Sequence, residues 1–265
     1  MVFDGISRAI DNLSIWETDV LKNIFQMLRV NPYHRESSRV AEMFSMIVPK
    51  YDFLNHLFSF GLDFWWRNKL VELLAANKRG ALLDIATGTG DVAFAAAKKW
   101  PFLSIVGVDF SEGMIKRARA KALEQKLDKG VRFEVGDALK LSYSNRTFDW
   151  ATMAFGLRNV EDYEAGLREI ARVLKPGGKL LILEFSRVKN PILRLLYVAH
   201  LRLIIPLFGR IFSQGEAYSY LAGSIQDFTT HVDVCGLMTE ADFRDVRQIP
   251  LTFGVVSIYE GICRV

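Results

Sequence analysis

The stretch LLDIATGTGDVAFAAA, residues 82–97, constrains the fold more than any other part of the chain. An apolar run stops at a glycine-rich turn and resumes as an alanine-rich helical pattern, so strand, tight turn and helix follow in that order. A strand that feeds a helix in this way joins a parallel neighbour through a right-handed crossover, and the turn between them is a cradle for a nucleotide. The chain repeats the unit. Strands are predicted over 81–86, 104–109, 131–135, 148–153 and 179–185, with helices over 91–99, 112–123 and 163–174, and Ser111 stands where it would cap the second of these. The expected fold class is α/β: a Rossmann-like doubly wound, mostly parallel sheet whose ligand lies at the carboxyl ends of the strands.

Helical patterns flank this core. Apolar residues from Ile6 to Leu28 recur at helical spacing until VNPY at 30–33, which describes an N-terminal helical arm over 1–39. Residues 37–76 read as two or three aromatic-rich helices punctuated by Pro49 and Gly61. After Ser186 the alternation ends, and a helical insertion at about 187–242 precedes two terminal strands around Pro250 and Gly254, read as an antiparallel edge. The organisation is therefore an arm followed by one domain over 40–265, and 265 residues at 50% hydrophobic content can bury a sizeable core.

Several classes of function are disfavoured. A formal net charge of +4 suits an anionic surface but not the dense basic stripe of a nucleic-acid binder, so no nucleic-acid partner is expected. Cys235 and Cys263 lack any CxxC spacing, which writes neither a disulfide framework nor a zinc cage and points to a reducing cytoplasm. Asp4, Asp11, Glu17 and Asp19 interrupt any leader or spanning helix near the start. The histidines are scattered, HVDVC at 231–235 offers too few ligands to close a coordination shell, and no metal is expected. No GxSxG elbow follows a strand.

The identity of the nucleotide turns on charge. Gly88, Gly90 and Ala93 fit GxGxxG/A, and Asp109 follows at the distance where an acid holds a ribose, so NAD is open on the loop alone. Asp84, inside the first strand, and Asp137, in the Gly136–Asp137–Ala138 step after the third, add two more acids. Three carboxylates round one cleft would repel a diphosphate but attract a sulfonium cation. With Asp109 on a ribose diol and Asp137 on an adenine amino group, S-adenosyl-L-methionine is the favoured cofactor.

YDFLNHLFSFGLDFWWR, LLDIATGTGD, FDWATMAFGLRNV, RVLKPGGKLLILEFS and AYSYLAGSI occur in that order. From about Val40 onward the chain therefore closely resembles the UbiE-type ubiquinone/menaquinone-biosynthesis C-methyltransferases. The resemblance implies methylation of a ring carbon of a polyprenylated quinol. It implies cofactor contacts at Thr89, Asp109, Asp137 and Ala138, and places Tyr51 and Asn55 in a segment folding over the cofactor. With the glycine turn and strand ends, the candidate cofactor set is Tyr51, Asp84, Gly88, Thr89, Gly90, Asp109, Phe110, Asp137, Ala138 and Ala154. The chain departs from the family pattern at Leu54, usually methionine, at Asp63, usually histidine, and at Gly223, often glutamate, so no acid–base role is carried over to those positions.

A quinol carbon becomes nucleophilic as the neighbouring hydroxyl loses its proton, so the site must stabilise a developing phenolate. Arg158 in FGLRN is the candidate for that role, Asn159 for orienting the ring oxygen, and Tyr220 or Tyr218 for contact from the insertion. A structural alternative makes Arg158 the partner of Asp162 or another surface acid. The apolar segment 191–213, with Arg194, Arg202 and Arg210, suits a helix lying at a phospholipid interface, which implies peripheral association with the inner face of the membrane; core packing is the alternative. A homodimer is compatible with the sequence. Two further readings stay open: a methyltransferase acting on another lipid or small molecule, and an adenosyl-ligand-binding protein without catalysis.

Overall fold

The computed structural model of the chain describes residues 55–75, 79–199 and 215–264. The predicted arm, Tyr51, Leu54 and the middle of the insertion lie outside them. Seven strands form one sheet: β1 (Gly80–Ile85), β2 (Leu103–Asp109), β3 (Val131–Val135), β4 (Phe148–Ala154), β5 (Leu174–Phe185), β6 (Phe243–Leu251) and β7 (Val256–Cys263). Their order is β3-β2-β1-β4-β5-β7-β6, with parallel pairing up to β5 and antiparallel pairing of β7 to β5 and of β6 to β7. The chain runs outward from β1 through β2 to β3, then crosses back to place β4 against the other side of β1. That reversal opens a crevice at the carboxyl ends of β1 and β4.

Helices α1 (Leu62–Leu74), α2 (Asp91–Lys99), α3 (Glu112–Glu124), α4 (Tyr163–Val173), α5 (Pro191–Ala199), α6 (Gly215–His231) and α7 (Val234–Glu240) accompany the strands. The strand period of two divides the core. Leu82 joins Val92, Phe94, Ile115 and Leu70 on one face, whereas Leu83 joins Leu167, Ile170, Met238 and Phe243 on the other. Coverage of both faces explains why β1 and β2 read as nearly unbroken apolar runs.

The helix boundaries follow local chemistry. The Ser111 side chain accepts from Met114 N at 3.4 Å as the cap of α3, as expected, and Asp162 accepts from Ala165 N at 3.0 Å at the start of α4. The fifth strand begins earlier than its predicted start at 179. Leu174 already pairs with Phe148, and Pro176, Gly177 (φ 77°) and Gly178 fall within a register shift before Lys179 meets Trp150. The Pro-Gly-Gly step is thus a bulged entry to a strand, after a helix that stops at Val173. Pro250 sits in β6, at the sheet edge, where a missing N–H costs least. Among the described residues no helix is long and apolar enough to cross a membrane.

Candidate active site

The turn after β1 is built from conformations that few residues adopt. Ala86 (φ 52°), Gly88 (φ 55°) and Gly90 (φ 91°) are all left-handed, and a Cβ on Gly90 would lie 2.7 Å from the Phe133 ring. Thr87 N still donates to Val108 O at 2.9 Å, so the loop leaves the sheet at a defined angle. Lys121, buried on α3, donates to Thr89 Oγ1 at 3.0 Å and to Asp91 Oδ1 at 2.6 Å and ties the loop down.

Asp109, at the end of β2, receives Gly88 N on Oδ2 at 2.8 Å and Ser111 N on Oδ1 at 2.9 Å. Burial pushes its carboxyl up to about 6, against the pull of those two N–H groups. Asp109 shares a cleft of about 70 Å³ with Gly88, Phe110, Asp137, Ala138, Ala154 and Asn159. Asp137 is exposed there, its Oδ1 accepting from Leu139 N at 2.9 Å. Asp84 is fully enclosed one step deeper. Its two oxygens accept from Thr87 Oγ1 at 2.6 Å and Thr152 Oγ1 at 2.7 Å, and burial raises it to about 6 as well. It borders an adjoining hollow with Arg67, Thr87, Thr89 and Asp91, which shares Ala86, Gly88, Ala154 and Phe155 with the cleft. The three acids therefore gather at the ends of neighbouring strands, two on the cleft and one on the hollow beside it.

A second cavity, of about 300 Å³, lies on the other side of Phe155. Phe58, Phe60, Leu62, Trp66, Phe185, Leu221, Ile225 and Val255 make its walls apolar, while Asn55, Asp63, Arg67, Arg158 and Tyr197 supply polar groups. Phe155 itself is left-handed (φ 56°) and lines all three spaces. Strain in a bulky residue at that junction is the kind that functional sites retain.

Of the residues predicted to handle the substrate, Arg158 and Asn159 line different spaces, and Tyr220 lines none of the three but bonds Asn159. Arg158 lines the apolar cavity and is 5% exposed. Its NH1 donates to Glu184 Oε1 at 2.9 Å and to Phe155 O at 2.5 Å, and its guanidinium sits 5.3 Å over the Phe185 ring. Its acidic partner is Glu184, itself buried, and not Asp162, which caps α4. Asn159 lines the acidic cleft, and its Oδ1 accepts from Tyr220 OH at 3.0 Å. The side chain of Tyr218 lies outside the described residues.

The structure also assigns surroundings to Asp63. It is buried on the apolar cavity, where it accepts from Arg67 NH1, from Ser59 Oγ at 2.7 Å and from His56 Nδ1 at 2.6 Å. Burial raises its carboxyl, but the Arg67 charge, the Ser59 and Arg67 hydrogen bonds and the His56 charge more than offset this and hold it below the usual range. Sequence reasoning did not single out Arg67, Glu184 or Tyr197. Two of them left a trace: Asp63 and Arg67 are spaced i,i+4 on one helix, and Glu184 is a lone charge in the apolar run LLILEF. Among the described residues no three His, Cys, Asp or Glu side chains cluster as metal ligands would.

The chain is similar to known proteins. The model of the ubiE/COQ5 methyltransferase family matches residues 33–263. The chain is 41% identical over 227 residues to a ubiquinone/menaquinone biosynthesis C-methyltransferase UbiE of Geobacter sulfurreducens, covering 85% of this chain and 89% of that one. It is 41% identical over 220 residues to a demethylmenaquinone methyltransferase of Thermus thermophilus, covering 83% and 99% of the two chains. A solved SAM-dependent methyltransferase from Thermotoga maritima superposes with a TM-score of 0.58 at 23% identity, covering 84% of this chain and 99% of that one, and so shares the fold.

Proposed function

The chain belongs to the ubiE/COQ5 methyltransferase family, and from that premise we propose that it transfers a methyl group from S-adenosyl-L-methionine to a ring carbon of a polyprenylated quinol. The quinol is a demethylmenaquinol or the analogous benzoquinol of ubiquinone synthesis, the two routes that the relatives' names describe. One observation carries the reading: an apolar cavity holding a buried arginine shares Phe155 with an acid-bordered cleft at the point where the strand order reverses.

The residues of the cleft fit the cofactor. The Asp109 carboxylate is held in place by two backbone N–H groups and keeps lone pairs for the ribose hydroxyls. Phe110, Asp137 and Ala138 border the same cleft where the adenine would lie, and Gly88 brings backbone close to the ligand. The adjoining hollow carries both signs of charge, Arg67 beside Asp84 and Asp91, with the Thr87 and Thr89 side chains, as a zwitterionic amino-acid end requires. Bound there, the cofactor supplies an electrophilic methyl group on a sulfonium.

The chain's own work is placement and electrostatics. Arg158 faces the cavity with a cation that favours the ring oxygen as it loses its proton. Asn159, held by Tyr220, stands on the cleft side of the same 3-10 turn and orients the ring relative to the cofactor. Phe155 and the surrounding aromatic walls exclude water from the developing phenolate. The tail leaves toward a lipid surface at the inner face of the membrane; exposed Phe60, Phe64 and Trp65, and Ile192 and Leu195 one turn apart on α5, support that contact. The decisive assay incubates the purified protein with S-adenosyl-L-methionine and a short-chain demethylnaphthoquinol or demethylated benzoquinol under reducing conditions. Mass spectrometry should show one of the two gain a single methyl on carbon. Cofactor binding without methylation of either would overturn the reading.

A further inference from the structure

Two residues of the apolar cavity carry a buried polar atom that finds no hydrogen-bond partner among the described residues: the hydroxyl oxygen of Tyr197 and Nε of Arg158. Both residues line the cavity. Neither is loosely held. The Tyr197 ring packs with Phe58, Phe185 and Leu221 around buried Ile225, and the Arg158 guanidinium is fixed by Glu184, by Phe155 O and by the Phe185 ring beneath it. Burial pushes the Tyr197 phenol above its ordinary value; the Arg158 charge opposes this and the Glu184 charge adds to it, so the hydroxyl stays a neutral donor.

Native proteins rarely leave buried donors without acceptors, because each such group has given up water and received nothing in return. Two of them on one roomy cavity mark an acceptor that arrives with a ligand. The cavity limits what that ligand can be. Phenylalanine, leucine, isoleucine and valine make up half of its lining, which favours a ligand with a large apolar body, and the orphan groups call for an oxygen on that body. A ring oxygen of a quinol or quinone meets both conditions, with two lone pairs for two donors.

We propose that Tyr197 is a substrate-binding residue whose hydroxyl, together with Arg158 Nε, holds one ring oxygen of the quinol. The proposal rests on the quinol reading and adds to it a residue on α5, outside the motifs that carry the family resemblance. It assigns α5 two tasks: exposed Ile192 and Leu195 on its outer side, and a ring-oxygen donor within.

Tyr197→Phe deletes one oxygen and keeps the ring. Binding of 1,4-naphthoquinone, followed by quenching of tryptophan fluorescence, should weaken about tenfold, and KM for the demethylnaphthoquinol should rise by about the same factor. Affinity for S-adenosyl-L-methionine and the melting temperature should not fall, because the hydroxyl makes no bond among the described residues. Unchanged naphthoquinone binding by the variant overturns the assignment, and so does a lowered melting temperature, which would reveal a structural partner for the hydroxyl. Failure of the wild-type protein to bind the naphthoquinone at all would instead remove the quinol reading on which the assignment stands.

Discussion

Asp109 shows how burial converts an ordinary side chain into a ligand gauge. Its carboxyl is raised to about 6, and the ribose hydroxyls proposed for it would donate far more strongly to the ionised form. From about pH 7 upward the group is almost fully charged and affinity should be flat; at lower pH the stronger-binding ionised form must first be generated, so apparent affinity falls with the ionised fraction. Calorimetric titration with S-adenosyl-L-methionine should therefore give a Kd about tenfold weaker at pH 5 than at pH 7, and a Kd that does not move between them would take Asp109 out of the cofactor site. Arg158 teaches a second lesson. Because Glu184 sits 2.9 Å away, much of the guanidinium's net charge is already balanced, and what remains for a substrate is a directed N–H at a fixed angle. Spacing along the chain could not reveal this, since Arg158 and Glu184 are 26 residues apart and meet only because β4 and β5 are neighbours.

Among the elements, β2 controls the glycine turn although it is not part of it. Gly107 pairs with Asp84 across the sheet, and a Cβ there would lie 2.6 Å from the Phe133 ring and 2.8 Å from Thr87 Oγ1, the hydroxyl that holds Asp84. Gly107→Ala should accordingly cost about 1–3 kcal/mol of stability through overpacking and weaken cofactor binding with it. Thermal melts and calorimetry would check both, and a variant that melts with the wild type would mean that the turn tolerates displacement of Thr87. The elements themselves were largely legible: β1 to β4, α2 and α3 begin and end within a residue or so of their predicted bounds, because their apolar periods, the Ser111 cap and the glycine punctuation act locally. The start of β5 was not legible, because pairing of Leu174 with Phe148 is a contact between strands and leaves no local mark.

At the scale of the whole molecule, one end of the sheet carries everything the proposed reaction needs. The acid-bordered cleft and the apolar cavity share Phe155 there, and the helical segments beside the cavity carry exposed Phe60 (79% exposed), Ile192 (70%) and Leu195 (61%). If that face meets lipid, the protein should sediment with anionic liposomes at low salt, and replacing Ile192 and Leu195 together by serine should release it while leaving methylation of a short-tailed quinol intact. Retention of the double variant on the liposomes would assign the contact elsewhere. By itself the sequence determined the layered α/β sheet, the glycine turn and the acids at successive strand ends, because strand and helix periods, caps and left-handed glycines are short-range physics. Only the tertiary structure decided that Asp84 is tied to two threonines, that Glu184 answers Arg158, and that Tyr197 lines an apolar cavity with its hydroxyl unmet among the described residues. Those outcomes depend on which strands and helices become neighbours and on what each buried polar atom finds there, and burial is a property of the assembled fold.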